Sequence, residues 1–146
     1  IVSLIRGVLG SMHIMIEQKE ADVIFEETEP VYVWADEFKI EEVVTNYTSN
    51  ALNHLDGERK VEIKVLREDE CVKVTVFNTG TPIPEEDIPN LWNKFYKVDK
   101  ARTREYGGSG IGLSIVKAII ESMNQKYGVC NYDNGVEFWF TLDCRQ

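Results

Sequence analysis

Three carboxamides are the first feature of this chain that could do chemistry. In the stretch EEVVTNYTSNALNH, Asn46, Asn50 and Asn53 recur at helical spacing. On a helix turning about 100° per residue they share one side with Glu42, and His54 sits at its edge. Ile40, Val44, Tyr47, Ala51 and Leu55 share the other side. Asparagine is a mediocre helix former, so a stripe of it is a poor choice for solubility alone. A carboxamide oxygen is a hard, neutral donor, suited to a Mg2+ ion that keeps waters and phosphate oxygens. The plainer alternative is a solvated helix face.

Two glycine-bearing stretches add to this. Gly107-Gly108-Ser109-Gly110-Ile111-Gly112 runs straight into LSIVKAIIESM. Glycine at that density is entropically costly and serves mobility or close approach. The helix start that follows presents unpaired N–H groups, which favour phosphate. A hinge before a core helix is the competing reading. The dinucleotide pattern fails here because Leu113 follows the last glycine, and no Lys follows as a P-loop requires. NTGTPIP, at a strand end, is either an ordinary turn or a base-recognition loop. In the second reading Asn78 offers an acceptor and Gly80 lets the backbone approach a planar ligand.

Positive charge comes from a long, Pro- and Gly-punctuated segment. Lys94, Lys97, Lys100, Arg102 and Arg104 lie there, interleaved with Trp92, Phe95 and Tyr96. It is too long for a plain connector, and such loops are usually functional. The readings are a solvated charge run, or a lid whose aromatics anchor it and whose cations meet phosphates.

These groups must be positioned by regular elements. Apolar spacing predicts a helix over residues 1–19. VIFEE and VYVWA read as two short strands. Asp36 is a fitting N-cap for a helix over 37–55. VEIKVL and CVKVTVF alternate around a charged turn and predict a hairpin. A third helix is expected over 112–124. KYGVCNY and VEFWFTL flank Asp133-Asn134-Gly135, a strong hairpin signal. Strands in one layer and helices in another make an α/β two-layer sandwich.

Composition narrows the class. A net charge of −9 opposes binding to nucleic acid or anionic membranes. Any phosphate ligand therefore needs local cations, a metal and backbone amides. Cys71, Cys130 and Cys144 have no metal-ligand spacing and read as reduced thiols. No apolar run reaches the roughly 18–20 residues that cross a bilayer. The first residues read as a fragment boundary, which leaves the parent free to be membrane-anchored outside it.

Taken in order, the segments resemble the catalytic domain of sensor histidine kinases in the GHKL ATPase superfamily. EVVTNYTSNALNH resembles the asparagine box, NTGTPIP the first glycine box, LWNKFYKVDKART the phenylalanine box and GGSGIGLSIVKAI the second glycine box. GVEFWFTL resembles the closing strand. The resemblance covers roughly residues 2–142. It implies a Bergerat fold: a mixed, mostly antiparallel sheet of about five strands packed against three helices. It implies that residues 1–146 are one ATP-binding domain, with the acceptor-histidine, dimerisation and sensor domains lying elsewhere in the parent.

For the site, the resemblance implies ATP and Mg2+. Asn46 and Asn50 would face metal and phosphates, with Asn50 the metal ligand and Asn46 a second candidate. Asn53 stands where the family usually has a phosphate-binding Lys, and His54 where it has a Tyr beside the nucleotide. Asn78 replaces the acid that accepts from the adenine amine; an amide oxygen still accepts, without charge assistance. Gly80, Ile83, Gly108, Gly110, Ile111, Gly112 and Leu113 complete the ATP contacts. Lys97 and Arg102 occupy basic lid positions and, with Asn46, are the catalytic candidates. Hydrolytic relatives carry a Glu where Asn46 stands, and an amide cannot act as a base, which favours transfer to a histidine. Glu42, one turn earlier, is a displaced base in the rival reading of an ATPase or serine kinase. A degenerate, non-catalytic nucleotide module is the other rival. His13 is followed by Ile-Met-Ile-Glu and does not match the acceptor pattern. The implied partners are the parent's own dimerisation domain and a response regulator. The parent is expected to be a homodimer and this domain cytoplasmic.

Overall fold

A computed structural model of the chain describes residues 1–26, 29–93 and 112–144. Five strands form one sheet in the order β1-β2-β3-β5-β4. They are β1 (Asp22–Phe25), β2 (Lys60–Arg67), β3 (Cys71–Thr79), β4 (Tyr127–Tyr132) and β5 (Gly135–Asp143). β1 pairs with β2 in parallel, and every other pair is antiparallel. The sheet is thus mixed and mostly antiparallel, as expected. Alternation aims Val61, Ile63, Val72, Val74, Val76, Phe138, Phe140 and Leu142 at the buried face.

Helices α1 (Val2–Ser11), α3 (Glu37–Asn53) and α4 (Gly112–Ser122) contribute buried residues to the same core, and the short α2 (His13–Gln18) follows α1. α1 buries Val2, Ile5 and Val8. The single helix expected over 1–19 is two helices, broken at Met12. Side chains compete with the backbone at the break. Ser11 Oγ donates to Val8 O at 2.8 Å, and His13 Nδ1 donates to Gly10 O at 2.8 Å. His13 is an exposed structural residue.

The strand expected at VYVWA is reduced to one bridge, Val33 to Cys144. Pro30 before it and the helix cap at Asp36 after it leave little room for a ladder. Asp36 Oδ1 accepts from Phe38 N at 3.0 Å and Lys39 N at 3.3 Å, so the predicted cap is present. α4 ends two residues short of the expected boundary. Asn124 then adopts φ 56°, and Gln125 N returns to Ile120 O at 3.1 Å, a left-handed helix stop. No helix among the described residues is long and apolar enough to cross a membrane. The three cysteines are free thiols.

Candidate functional site

α3 carries the asparagine stripe because its opposite side is apolar. Ile40, Val43, Val44, Tyr47, Thr48, Ala51 and Leu52 are buried. Asn46, Asn50 and Asn53 are half-buried, on the side left over. Asn46 Nδ2 donates to Glu42 O at 2.9 Å, which leaves its oxygen as the outward atom. The side chains of Asn50 and Asn53 make no hydrogen bond among the described residues. Two neutral acceptor oxygens one turn apart are what a phosphate-bridging cation asks for.

α4 begins against this stripe. A Cβ added to Gly112 would stand 3.0 Å from Asn46 Oδ1. Gly112 has no left-handed φ, so its requirement is room rather than conformation. The structure therefore brings Gly112, the last residue of the second glycine stretch, against Asn46 of the asparagine helix, although 66 positions separate them in the chain. Leu113 follows, half-buried against the core. Lys97, Arg102, Gly108, Gly110 and Ile111 lie outside the described residues, as do Phe95 and Tyr96.

The end of β3 is stitched to the end of α3. Asn78 is buried, and its Nδ2 donates to His54 O at 3.4 Å and Thr79 O at 3.2 Å. That orientation leaves Oδ1 as the group free to accept, the role the sequence assigns to it. Thr79 Oγ1 donates to Asp56 O at 2.8 Å, accepts from Lys60 N at 3.0 Å, and Thr79 O accepts from Asp56 N at 3.0 Å. Gly80 must be glycine: a Cβ there would meet His54 O at 2.7 Å. His54, the C-cap of α3, thus acts on this seam through its carbonyl. Burial around its ring lowers the imidazole pKa below the usual histidine value. A shallow cleft of about 270 Å³ opens beside Gly80, lined by Asp56, Glu58, Thr81 and Asn134 among others. It shares Thr79 and Gly80 with the seam at the end of β3 but none of the asparagines of α3.

Several positioning residues escaped the sequence reading. Ile83 is gripped by Asn131 of β4: Ile83 N donates to Asn131 Oδ1 at 3.0 Å, and Asn131 Nδ2 donates to Ile83 O at 2.8 Å. The available signal was an asparagine inside a strand, where that residue is depleted. Gly135, read as a turn glycine, also faces Asn78 O, which a Cβ would approach to 2.1 Å. Trp92, expected as an anchor, sits edge-on to Tyr127 at 4.7 Å, Phe138 at 5.8 Å and Tyr47 at 6.4 Å. Tyr47 OH donates to Trp139 O at 3.0 Å, and burial raises its pKa well above the ordinary tyrosine value. Tyr127 OH donates to Glu121 of α4 at 2.8 Å; burial and then that carboxylate push its pKa up to about 12.

The arrangement can be set beside known proteins. A family described as histidine kinase-, DNA gyrase B- and HSP90-like ATPase matches residues 35–146. The chain belongs to this family. The catalytic domain of the histidine kinase ThkA, in a nucleotide-free form, superposes with a TM-score of 0.84 and 33% identity, over 97% of this chain and 90% of that one. ThkA in complex with the response regulator TrrA gives 0.81 at 30% identity, over 98% of this chain and 40% of that one. The sensor histidine kinase WalK of Bacillus subtilis is 39% identical over 94 residues, 63% of this chain. The chain spans only 15% of that relative's length. As a family member it carries the ATP-binding Bergerat fold, and the sandwich described above is that of histidine kinase catalytic domains.

Proposed function

We propose that this domain binds Mg2+–ATP with its base at Asn78 and Gly80 and its phosphates along the asparagine side of α3. The γ-phosphoryl group then passes to a histidine on the parent's dimerisation domain, outside residues 1–146. A response regulator would receive the group next. The closeness of Gly112 to Asn46 carries the proposal, because it sets a helix start, which favours phosphate, against the carboxamide oxygen of Asn46. The similarity to WalK and to ThkA, crystallised with a response regulator, supports the choice of partners.

The residues present fit a magnesium ion. Asn50, with Asn46 beside it, supplies neutral oxygens of the kind that ion accepts alongside phosphate. When bound, it would neutralise charge on the triphosphate. Asn50, Asn46 and Asn53 orient the phosphates. Asn78 Oδ1 accepts from the base amine, while the backbone of Gly80 lies close to the base plane. Ile83 and Leu113 wall the site and His54 flanks it, with Ile111 the further contact that the family resemblance implies. Lys97, Arg102 and the amides around Gly108, Gly110 and Gly112 stabilise charge on the transferring group. Positioning and electrostatics then account for the chemistry, as in phosphoryl transfer generally.

Asn46 argues for a kinase over a hydrolase, since its amide can take no proton and Nδ2 is already committed to Glu42 O. The orientation of Asn78 argues against a degenerate module, because the substituted amide still presents an acceptor. The net charge of −9 supports the absence of a nucleic-acid partner. The parent is proposed as a homodimeric, membrane-anchored receptor with this domain on the cytoplasmic side.

Calorimetric titration with ATP, with and without Mg2+, tests the assignment. Wild type binds, and Asn50→Ala weakens Mg2+-dependent binding on the order of 100-fold, because charged groups lose a hard oxygen partner. An ATP titration of that variant indistinguishable from wild type refutes the site.

A further inference from the structure

Residues 80–84 form the outer wall of the proposed base site, and their backbone has few ways to be fixed. Pro82 and Pro84 flank Ile83 and carry no N–H. Ile83 is therefore the one residue of that tripeptide able to donate from the main chain. Its N–H goes to Asn131 Oδ1, and its carbonyl accepts from Asn131 Nδ2. A carboxamide carries an acceptor and donors side by side, as a peptide unit does. Asn131 thus pairs with Ile83 as a neighbouring strand residue would, exchanging both bonds.

The tie is anchored on the sheet. Asn131 pairs with Val136 in the β4–β5 ladder, and it lies on the side of β4 that carries Tyr127 and Val129 into the core. At the other end of the wall, Gly80 N donates to Asn134 O at 3.0 Å. Residues 80–84 are consequently held at two points by a single hairpin, once through the backbone and once through a side chain. The backbone tie cannot be tuned by substitution, whereas the side-chain tie can.

We infer that Asn131 is a positioning residue for recognition of the nucleotide base. It sets where Ile83 stands relative to Asn78 and Gly80 without being assigned any ligand contact of its own. The inference rests on the reading that the base lies at Asn78. It implies that loss of Asn131 weakens the base contribution to binding and leaves the phosphate contribution intact.

The ratio of Mg2+–ATP affinity to Mg2+–tripolyphosphate affinity isolates the base contribution, and calorimetry on the whole chain reads it. Asn131→Ala lowers that ratio on the order of tenfold, the range seen when a supporting hydrogen bond behind a ligand site is removed. Asn131→Asp keeps the acceptor for Ile83 N but sets an anionic oxygen against Ile83 O, and its ratio also falls below wild type. It also serves as the test variant if the alanine protein does not fold. General loosening of the domain would weaken both ligands together and keep the ratio, which overturns the inference. A folded variant with the wild-type ratio overturns it as well. Wild type that binds tripolyphosphate but gains nothing from the base removes the underlying site assignment too. Asn50→Ala provides the contrast, since it weakens both ligands together.

Discussion

At the end of β3, polar atoms are committed to the protein, whereas along the asparagine side of α3 they are largely left over for something else. Asn78, Thr79 and Gly80 exchange bonds with His54, Asp56, Lys60 and Asn134. Asn50 and Asn53 make no side-chain bond among the described residues, and Asn46 commits only its nitrogen. The first region is a frame, built where the ends of α3 and β3, the start of β2 and the β4–β5 turn converge; the second is a set of donors on a rigid rod. A planar base is recognised by fixed edges, so preorganisation favours it. A metal-bridged triphosphate is satisfied by oxygens that stay available until it arrives. Damage to the frame should therefore cost stability, and damage to the donor side should cost ligand.

Gly135→Ala breaks the frame most severely. The new methyl group would stand 2.1 Å from Asn78 O and 2.8 Å from the Phe77 ring. Backbone oxygen cannot swing aside as a side-chain end can, so β3 and β5 must part locally. We expect a loss of about 3 kcal/mol in urea unfolding, the upper part of the usual overpacking range. ATP binding falls as a consequence. A variant as stable as wild type would show that the strand spacing at Asn78 is soft, and the contrast between the two regions would lose its basis.

Gly112→Ala does the opposite. The added methyl group lies 3.0 Å from a side-chain oxygen, Asn46 Oδ1, which can move by a few tenths of an ångström. Alanine also favours helix over glycine by up to about 1 kcal/mol. Thermal stability is therefore expected to hold or rise, while ATP affinity drops roughly fivefold as the Asn46 oxygen is displaced. Calorimetry and a melting curve on the same sample check both signs. Falling stability with unchanged affinity would place Gly112 in the frame instead.

Sequence alone revealed the rod more fully than the frame. Asp36 announced its cap and the asparagine stripe its side, while of the frame Asp133-Asn134-Gly135 announced only a hairpin, because each signal is local and set by helix period or turn chemistry. Asn78 and Gly80 were legible as a strand-end turn, but not that His54 O dictates the glycine. The pairing of Asn131 with Ile83 spans 48 positions, and no local propensity encodes it. VYVWA shows the converse: its alternation is genuine, yet a strand needs a partner with free edge, and β5 lies between β3 and β4, so Val33 bridges only to Cys144 just past its end. The break at Met12 likewise depends on where Ser11 and His13 find carbonyls, which apolar spacing does not record.

His54 joins the two regions, since it caps α3 and its carbonyl braces Asn78 and Gly80. Its pKa is lowered by burial, so the fold prefers the neutral ring and the unfolded chain binds the proton more readily. Stability then rises with pH through the window just below the unfolded value near 6.5 and is lost as the pH falls through it. Protein atoms crowd the ring, yet the residue still meets solvent, so screening keeps the effect small. His54→Asn removes the titrating ring while leaving the backbone carbonyl in place. The difference in urea midpoint between pH 7.5 and 5.5 should shrink in that variant, whereas the melting temperature at pH 7.5 stays near wild type. If the pH dependence is identical in both proteins, the ring is fully solvated and the seam is carried by the carbonyl alone. If stability at pH 7.5 collapses instead, the side chain itself braces the frame, and the border between the two regions must be drawn one turn further into α3.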